Sequence, residues 1–533
     1  MDAEQPRPAS VSLWAPLRQG VFRALWLGVL VSNVGLWMQT VGAQWLLIQQ
    51  PNAAVLVALV QTADTLPDAL FGIVGGVLAD ILDRRRLLIA VQAFMVVTGT
   101  LLTVLTIAGQ MPPALLLIFT FVLGSGSVLT LPAYQSLIPD LVPRAQLLAA
   151  ATLSSVSINV ARAVGPAVAG LLIARSGVPA VFAVDTATFL VFGLVVALWH
   201  PPASTRTTRP EPFIAALRAG GRYVRYSPVV RRVLLRSALF IVPGTALWAL
   251  LPLVATQRLG QGAGGYGLLL GALGVGAIAG SFALGRVRAR LSINALLVAA
   301  SVVYAAVLVV LVLVSSAAVA LIALLLAGVA WVAVLSSVNA ILQLFLPAWV
   351  RARGLSVYLT VLFGSQALGA VFWGVLVGPL SLVWTFLVAA GVMLAGAATT
   401  RLWPLYETSA MDRNAVVFWP EPQLAMQLEP DSGPVLVQTA YTIDREREDE
   451  FLGLMAQVRL SRLRTGATQW SLYRDGESEH RFVELFAVAS WEEHLRQHGG
   501  RYTGFDQDIE ERASALSDPP PQTSHLIAAD LEA

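Results

Sequence analysis

The sequence predicts an α-helical membrane protein with about twelve spanning helices, followed by a soluble α+β domain. Apolar residues make up 56% of the chain and charged residues 13%, whereas ordinary soluble domains carry about 25% charged residues. Apolar runs of about 18 residues or more, long enough to cross a bilayer, recur up to residue 404 and are missing beyond it. No cysteine occurs in the chain, which excludes disulfides and thiolate metal sites.

The spanning helices fall into two groups around a polar stretch near 200–228. We place them near 22–49, 53–79, 87–109, 112–138, 146–174, 179–199, 230–256, 265–285, 292–315, 317–345, 354–377 and 380–402. The predicted domains are a tail (1–20), a first six-helix bundle (21–200), a linker (201–228), a second six-helix bundle (229–403), a second linker (404–430) and a soluble domain (431–533). Six plus six helices around a long central loop is typical of two-half carriers.

The arginine distribution predicts the orientation, because arginine-rich loops stay on the cytoplasmic side. Every second loop is rich in arginine, beginning with the run at 84–86. The loops between them carry only Arg175 and Arg258. Both termini are therefore predicted to be cytoplasmic. The chain is predicted to lie in the bacterial inner membrane, where its apolar helices contact the lipid bilayer.

The central polar stretch contains one predicted helix. From Pro212 to Tyr226, apolar residues recur at helical spacing, and arginines such as Arg222 occupy the other face. This pattern predicts an amphipathic helix at the cytoplasmic interface, and the alternative is a simple solvated linker.

Beyond residue 430 the pattern changes to short strands and helices. Residues 435–443 alternate like a strand, 445–463 carry a helical apolar stripe, and 467–475 with 480–490 are typical of a hairpin. A helix starts at Trp491, and 524–529 predict a last strand, so the order β-α-β-β-α-β predicts a ferredoxin-like domain. His494 and His498 lie one helical turn apart, but without an acidic partner motif we interpret them as a solvated helix face and predict no metal site.

The most specific motif is GGVLADILDRRR (75–86), at the predicted inward end of the second helix. Aspartates next to arginines form a charge cluster that can hold one conformation and release another. The segment resembles the conserved loop between helices two and three of the major facilitator superfamily, although Asp83 replaces the second glycine of that pattern. The resemblance implies the major facilitator fold, with a conformational latch formed by Gly76, Asp80, Asp83, Arg84 and Arg85.

A second resemblance indicates one branch of the superfamily. The segment NVARAVGPAVAG (159–170) is similar to the Gly-Pro motif in the fifth helix of exporters of this superfamily. With the segments 131–144 and 330–358, it resembles the bacterial transmembrane secretion effector carriers, which include the enterobactin exporter. Gly165 and Pro166 are predicted to loosen this helix during conformational switching, because proline removes a helical hydrogen bond.

Charged residues inside a membrane are expensive and usually functional. Asp64 and Asp68 share one face of the second helix, Asp185 lies early in the sixth, and Arg162 follows Asn159 on the fifth. We predict that these residues bind protons or the substrate. The alternatives are that the carboxylates are solvated or pair with Arg162, and that Arg162 only ties its helix to a neighbour. No acid occurs between Glu211 and Glu407, so a proton-coupling carboxylate belongs to the first half.

The leading hypothesis is a secondary active exporter of a small organic molecule, such as a siderophore, a drug or a lipophilic metabolite, working by alternating access with proton coupling. The alternative is a carrier fused to an enzyme, because the soluble domain resembles small cofactor-free monooxygenase-like domains that pair through their sheets. We interpret that domain as a dimerisation or sensing module. A non-transporting sensor is a third hypothesis. No Gly-x4-Gly-Lys motif occurs, so an ATP-driven pump is not expected, and neither a cofactor nor nucleic acid is predicted as a partner.

Overall fold

The computed structural model describes residues 12–199, 213–408, 411–414, 416, 425, 426 and 428–529, without the side chains of 77, 79–81 and 213–219. The chain divides into two compact units. The first unit comprises Met1–Pro210, Leu235–Ser337 and Leu359–Pro404. The second comprises Glu211–Leu234, Val338–Tyr358 and Leu405–Ala533. The second unit thus joins the ends of three apolar helices to the C-terminal domain.

Thirteen helices precede the first strand in the described part of the chain. They are α1 (Gly20–Leu47), α2 (Ala53–Ile81), α3 (Arg84–Ile107), α4 (Pro113–Gln135), α5 (Ile138–Leu141), α6 (Leu147–Ser176), α7 (Val178–Leu198), α8 (Phe213–Tyr226), α9 (Pro228–Leu253), α10 (Ala263–Arg288), α11 (Ile293–Leu313), α12 (Ala317–Phe345) and α13 (Ala348–Ala398).

Within the described ranges, eleven helices are long and apolar enough to cross a membrane. The last of them, α13, has 51 residues and is broken at Ser381, whose φ of 70° is not helical. Pro379 lies two residues before the break and removes a helical hydrogen bond there. The break divides α13 into two apolar segments, which gives the twelve segments that the apolar runs predict.

Local chemistry sets several helix ends. Gly177 adopts a φ of 79° between α6 and α7, a conformation that glycine reaches without strain. The Asp83 carboxylate accepts a hydrogen bond from the Arg86 backbone N–H at 2.8 Å, so Asp83 caps the N-terminus of α3. The Ser292 hydroxyl does the same for α11 through the Ala295 N–H.

Small residues bring α6 and α10 into backbone contact within the first unit. A Cβ at Gly170 would lie 3.0 Å from the Gly267 Cα, and a Cβ at Gly274 would contact the Ala163 backbone. In lipid, helix association depends on such close packing, because there is no water to expel between the helices. The contact between α6 and α10 therefore holds the two predicted bundles together.

Replacing Gly274 with leucine is expected to destabilise this crossing, since a side chain there overlaps the Ala163 backbone. Overpacking of this kind costs about 1–3 kcal/mol, so the apparent melting temperature of the solubilised chain should fall. Gly264→Leu on the same helix is the control, because a Cβ at Gly264 meets nothing within 4 Å. Equal melting temperatures for the two variants would refute the close crossing.

The second unit contains a four-stranded antiparallel sheet. Its strands are β1 (Val435–Thr442), β2 (Gln469–Arg474), β3 (Arg481–Val488) and β4 (Gln522–Ile527), in the order β2-β3-β1-β4. The helices α14 (Glu448–Thr465), α15 (Trp491–Arg496) and α16 (Gly504–Ser514) accompany it. The strands and two of these helices lie where the sequence predicts them. The third, α16, was not predicted, although Thr503 and Asp506 form a capping box at its start.

The predicted helix before α9 is present as α8, so the alternative of a simple solvated linker is wrong. It packs within the second unit: the Tyr223 ring meets the Trp349 ring edge-on at 5.8 Å. The Arg222 guanidinium donates to a Glu493 carboxylate oxygen at 3.0 Å, and the Arg501 guanidinium donates to the same oxygen at 2.6 Å. Arg222 of α8 is therefore bound by the C-terminal domain.

Candidate functional site

A cavity of about 390 Å³ opens within the first unit, among helices of both predicted bundles. Its lining combines charged, polar and aromatic side chains. The residues that matter for its chemistry are Trp37, Gln61, Asp64, Asp68, Arg162, Trp248, Trp331 and Gln366. Binding sites for organic molecules commonly have this composition, with a mainly apolar wall and a few placed polar groups.

Asp64 and Asp68 both face this cavity from one side of α2. Pro67 interrupts the hydrogen bonding of α2 beside Asp68. Gly124 of α4 packs there, since a Cβ on Gly124 would lie 3.1 Å from Pro67 and 3.2 Å from the Asp64 carbonyl oxygen. Thr40 lines the same cavity, and its hydroxyl donates to the Leu36 carbonyl oxygen at 3.2 Å. The glycine and the proline thus place both carboxylates at the cavity wall.

Arg162 reaches the same cavity from α6. Its guanidinium lies 5.7 Å from the centre of the Trp37 ring, a cation–π distance. The Arg162 Nε is buried and has no hydrogen-bond partner among the described residues. Within that same part of the chain, no ion pair joins Arg162 to Asp64 or Asp68. The described residues thus do not show the alternative in which the carboxylates pair with Arg162, and the binding roles of these residues remain predictions.

Three tryptophans, Trp37, Trp248 and Trp331, lie next to one another along the cavity. The rings of Trp37 and Trp248 are 5.9 Å apart, and those of Trp248 and Trp331 are 5.5 Å apart. Such rings offer flat apolar faces next to the Arg162 charge. The other predicted aromatic positions serve packing, since Trp45 stacks on Tyr266 and Trp373 donates to the Val242 carbonyl oxygen at 2.7 Å.

Two of the predicted residues lie away from the cavity. Asp185 is 1% exposed, and its Oδ1 lies only 2.5 Å from the position that a Cβ on Gly35 of α1 would take. Asn159 donates to the Ser155 carbonyl oxygen at 2.9 Å, one turn earlier in its own helix. The structure therefore brings together Asp64, Asp68 and Arg162, and separates Asp185 and Asn159 from them.

Gly165 and Pro166 lie at a helix crossing. A Cβ at Gly165 would lie 2.6 Å from the Trp37 Cβ, so Gly165 lets α6 approach α1 and brings Trp37 near Arg162. The Pro166 carbonyl oxygen faces Gly267 of α10. Both residues are buried in α6. Their role in switching remains a prediction.

The predicted latch makes its contacts inside the first bundle. Arg84 donates to the Ser136 carbonyl oxygen at 2.5 Å and to Asp140 at 3.1 Å, and Arg85 donates to the Ala197 carbonyl oxygen at 2.5 Å. A Cβ at Gly76 would meet nothing within 4 Å. The Asp80 side chain lies outside the described residues. Asp140 was missed as the acidic partner of Arg84, although its place beside an inward loop was a signal for it.

The C-terminal domain has a buried ionic centre. Arg462 donates to Glu484 at 3.0 Å and to Glu510 at 2.9 Å, and it also donates to the Tyr502 hydroxyl. Trp470 donates to Glu484 at 2.8 Å. Both acids are therefore held by Arg462 in ion pairs inside the domain.

His494 contradicts the interpretation of a solvated helix face. It is 1% exposed and packs against Trp491 and His498, with ring centres 5.4 Å and 4.7 Å away. Burial, together with the neighbouring imidazoles of His498 and His525, lowers the pKa of His494 to about 3. The prediction was wrong because the sequence spacing does not show which face of a short helix meets the sheet.

The apolar segments, with a polar cavity among them, are the features of a multi-pass membrane protein. A family model described as transmembrane secretion effector matches residues 11–532. The chain belongs to this family of major facilitator carriers, which confirms the resemblance of its motifs.

Curated relatives are similar over part of the chain. Macrolide efflux protein A of Streptococcus pyogenes is 26% identical over 236 residues, covering 44% of this chain and 58% of that protein. The enterobactin exporter of Salmonella choleraesuis (strain SC-B67) is 27% identical over 269 residues, covering 50% of this chain and 63% of the exporter. The chain thus spans less than two thirds of the length of these relatives.

A solved structure shows the shared fold. It is the crystal structure of a bacterial homologue of the human lysosomal transporter Spinster, in an inward-facing and unoccupied conformation. The TM-score is 0.57 at 17% identity, and the match covers 73% of this chain and 95% of that one.

Proposed function

We propose that the chain exports a small amphipathic organic molecule through the cavity of the first unit by alternating access. The observation that carries this proposal is the Arg162 guanidinium, which faces the cavity beside Trp37 without an ion-pair partner among the described residues. An uncompensated charge in lipid is expensive, so a ligand that pairs with it is the physical reason to keep it. The relatives named for macrolide efflux and enterobactin export support siderophores, drugs or lipophilic metabolites as cargo.

We further propose that Asp64 or Asp68 couples export to protons. Both carboxylates share the cavity with Arg162, and α2 is interrupted at Pro67 between them. A carboxylate that loses its proton when the cavity opens to the other side can exchange protons for substrate. Asp185 and Asn159 stay outside this proposal because they do not line the cavity.

Transport into everted membrane vesicles tests both proposals, with a macrolide and enterobactin as the probes. Saturable uptake that depends on a pH gradient is expected for the intact chain, because everted vesicles turn export into uptake. Asp64→Asn combined with Asp68→Asn should remove the dependence on the gradient, and Glu407→Gln, which alters an exposed acid outside the helices, should not. Absence of saturable uptake would contradict export, and an unchanged gradient dependence in the double variant would contradict the coupling.

We place both termini in the cytoplasm and the chain in the bacterial inner membrane, as the arginine asymmetry supports. The bundles at 21–200 and 229–403, the linkers at 201–228 and 404–430, and the latch of Gly76, Asp80, Asp83, Arg84 and Arg85 belong to the same proposal. The Arg84–Asp140 ion pair supports a latch that holds α3 against α5 in this conformation.

For the region 431–533 we propose a ferredoxin-like sensing module. Its strand order β2-β3-β1-β4 and element order support the fold. A cavity of about 290 Å³ in the second unit, lined by Tyr223, Arg413, Arg464 and Phe505, supports ligand sensing. Removing the region after 430 should change the substrate concentration that half-saturates transport, and an unchanged value would contradict sensing. The buried ion pairs of Arg462 do not favour the monooxygenase alternative.

A further inference from the structure

Three histidines from two elements of the C-terminal domain converge on one point. His494 lies on α15, His498 lies four residues later in the helical turn Gln497–Arg501, and His525 lies on β4, where it pairs with Val437 of β1. One ring nitrogen from each lies within 4.8 Å of the others. The ring centres of His494 and His525 are 4.9 Å apart. The remaining described histidine, His480, is exposed in the turn between β2 and β3 and does not belong to the cluster.

The distances fit a shared metal ion. A tetrahedral ion bound to nitrogen at about 2.0–2.1 Å keeps its ligand nitrogens about 3.3 Å apart. The Nε2 atoms of His494 and His498 are 3.2 Å apart. A direct hydrogen bond between the two rings would give the same separation, but it would give no reason for the third ring to converge.

A neighbouring amide orients the most buried ring. The Gln497 Oε1 lies 3.3 Å from the His494 Nδ1, and the Gln497 amide nitrogen donates to the Thr465 hydroxyl at 3.4 Å. Because an amide oxygen only accepts, His494 carries its proton on Nδ1, which leaves the Nε2 lone pair directed at the cluster. Metal-binding histidines are usually held by such an outer hydrogen bond.

The ligand set also limits the kind of ion. Three neutral imidazoles suit zinc, cobalt, nickel or copper, whereas magnesium and calcium require oxygen ligands. His494 is buried, while His498 and His525 are half-buried, so the solvent reaches the rings of His498 and His525. We propose that His494, His498 and His525 together bind one divalent ion of zinc, cobalt, nickel or copper. This ion joins α15 to β4.

Metal titration of the full chain in detergent tests this site, with an affinity tag that contains no histidine. We expect one Zn²⁺ per chain by calorimetry, no binding of Mg²⁺, and visible absorption bands of four-coordinate Co²⁺. His498→Gln and His525→Gln should each weaken Zn²⁺ binding by at least about tenfold. His480→Gln is the matched control, because His480 is exposed in the β2–β3 turn.

The proposal depends on the difference between these variants. Equal Zn²⁺ affinity in the intact chain, His525→Gln and His480→Gln would overturn it, and so would failure of the intact chain to bind Zn²⁺ or Co²⁺. Far-ultraviolet circular dichroism verifies that His498→Gln and His525→Gln remain folded, since neither side chain is fully buried. A gain in melting temperature on adding Zn²⁺ that both variants lack would support the site independently of affinity.

Discussion

Replacing Arg162 with glutamine is expected to raise the substrate concentration that half-saturates transport by about 10- to 100-fold. A hydrogen bond to a charged group contributes about 1.5–3 kcal/mol, and each 1.4 kcal/mol is about a tenfold change in affinity. The guanidinium faces the cavity beside Trp37 and has no ion-pair partner among the described residues. Its loss should therefore weaken binding of the transported molecule. Concentration-dependent uptake in everted vesicles measures it.

Stability distinguishes this role from a structural one. Because Arg162 makes no ion pair in the described part of the chain, Arg162→Gln should leave the melting temperature unchanged or raise it. Arg162→Lys should be intermediate in transport, since it keeps the charge but loses the planar fork. Arg175→Gln, exposed near the end of the same helix, is the control. A lower melting temperature with unchanged half-saturation would show that Arg162 only supports the helix.

Replacing Arg462 with methionine is expected to unfold the C-terminal domain locally. The Arg462 side chain is 3% exposed and Glu484 is fully buried, and the variant leaves Glu484 and Glu510 without their cation. Removing one partner of a buried ion pair costs about 3–5 kcal/mol. Hydrogen exchange of the full chain in detergent measures this directly, because amides in α14 and β3 report local opening. Their protection should fall by at least about 100-fold.

Arg459→Met is the matched control for that experiment. Arg459 is exposed on the same helix, three residues before Arg462, so its loss removes charge without breaking the buried centre. Its exchange protection should stay within about twofold of the intact chain, since surface substitutions cost less than about 0.5 kcal/mol. Equal protection in the Arg459→Met and Arg462→Met variants would contradict a stabilising role for the ionic centre.

The membrane helices were predictable because lipid leaves few alternatives. Each backbone N–H and C=O in lipid must find its hydrogen bond within its own helix. A long apolar run such as 293–313 therefore forms an α-helix. The strands of the C-terminal domain were predictable from alternation. The helix α16 was missed because it is short and polar, although its capping box at Thr503 and Asp506 was a signal for it.

The grouping of the candidate residues was not predictable to the same degree. Asp64 and Asp68 share a helix face by spacing alone, but the rotation of α7 that buries Asp185 against Gly35 depends on packing between helices. The same holds for the histidine cluster, since His525 is far from His494 in the sequence and reaches it only through the pairing of β4 with β1. Spacing predicts which residues share one element, whereas tertiary packing decides which elements meet.

Glu493 connects two parts of the chain that lie on either side of the second bundle in the sequence. It binds Arg222 of α8, which directly precedes that bundle, although Glu493 itself belongs to the domain that follows it. The ion pair therefore joins two residues that are 271 positions apart in the chain, with the second bundle between them. Burial alone would raise the pKa of Glu493, but Arg501 and Arg222 lower it below its usual value. Glu493 thus stays ionised at neutral pH, and its ion pair with Arg222 is lost as the pH falls through that lowered value.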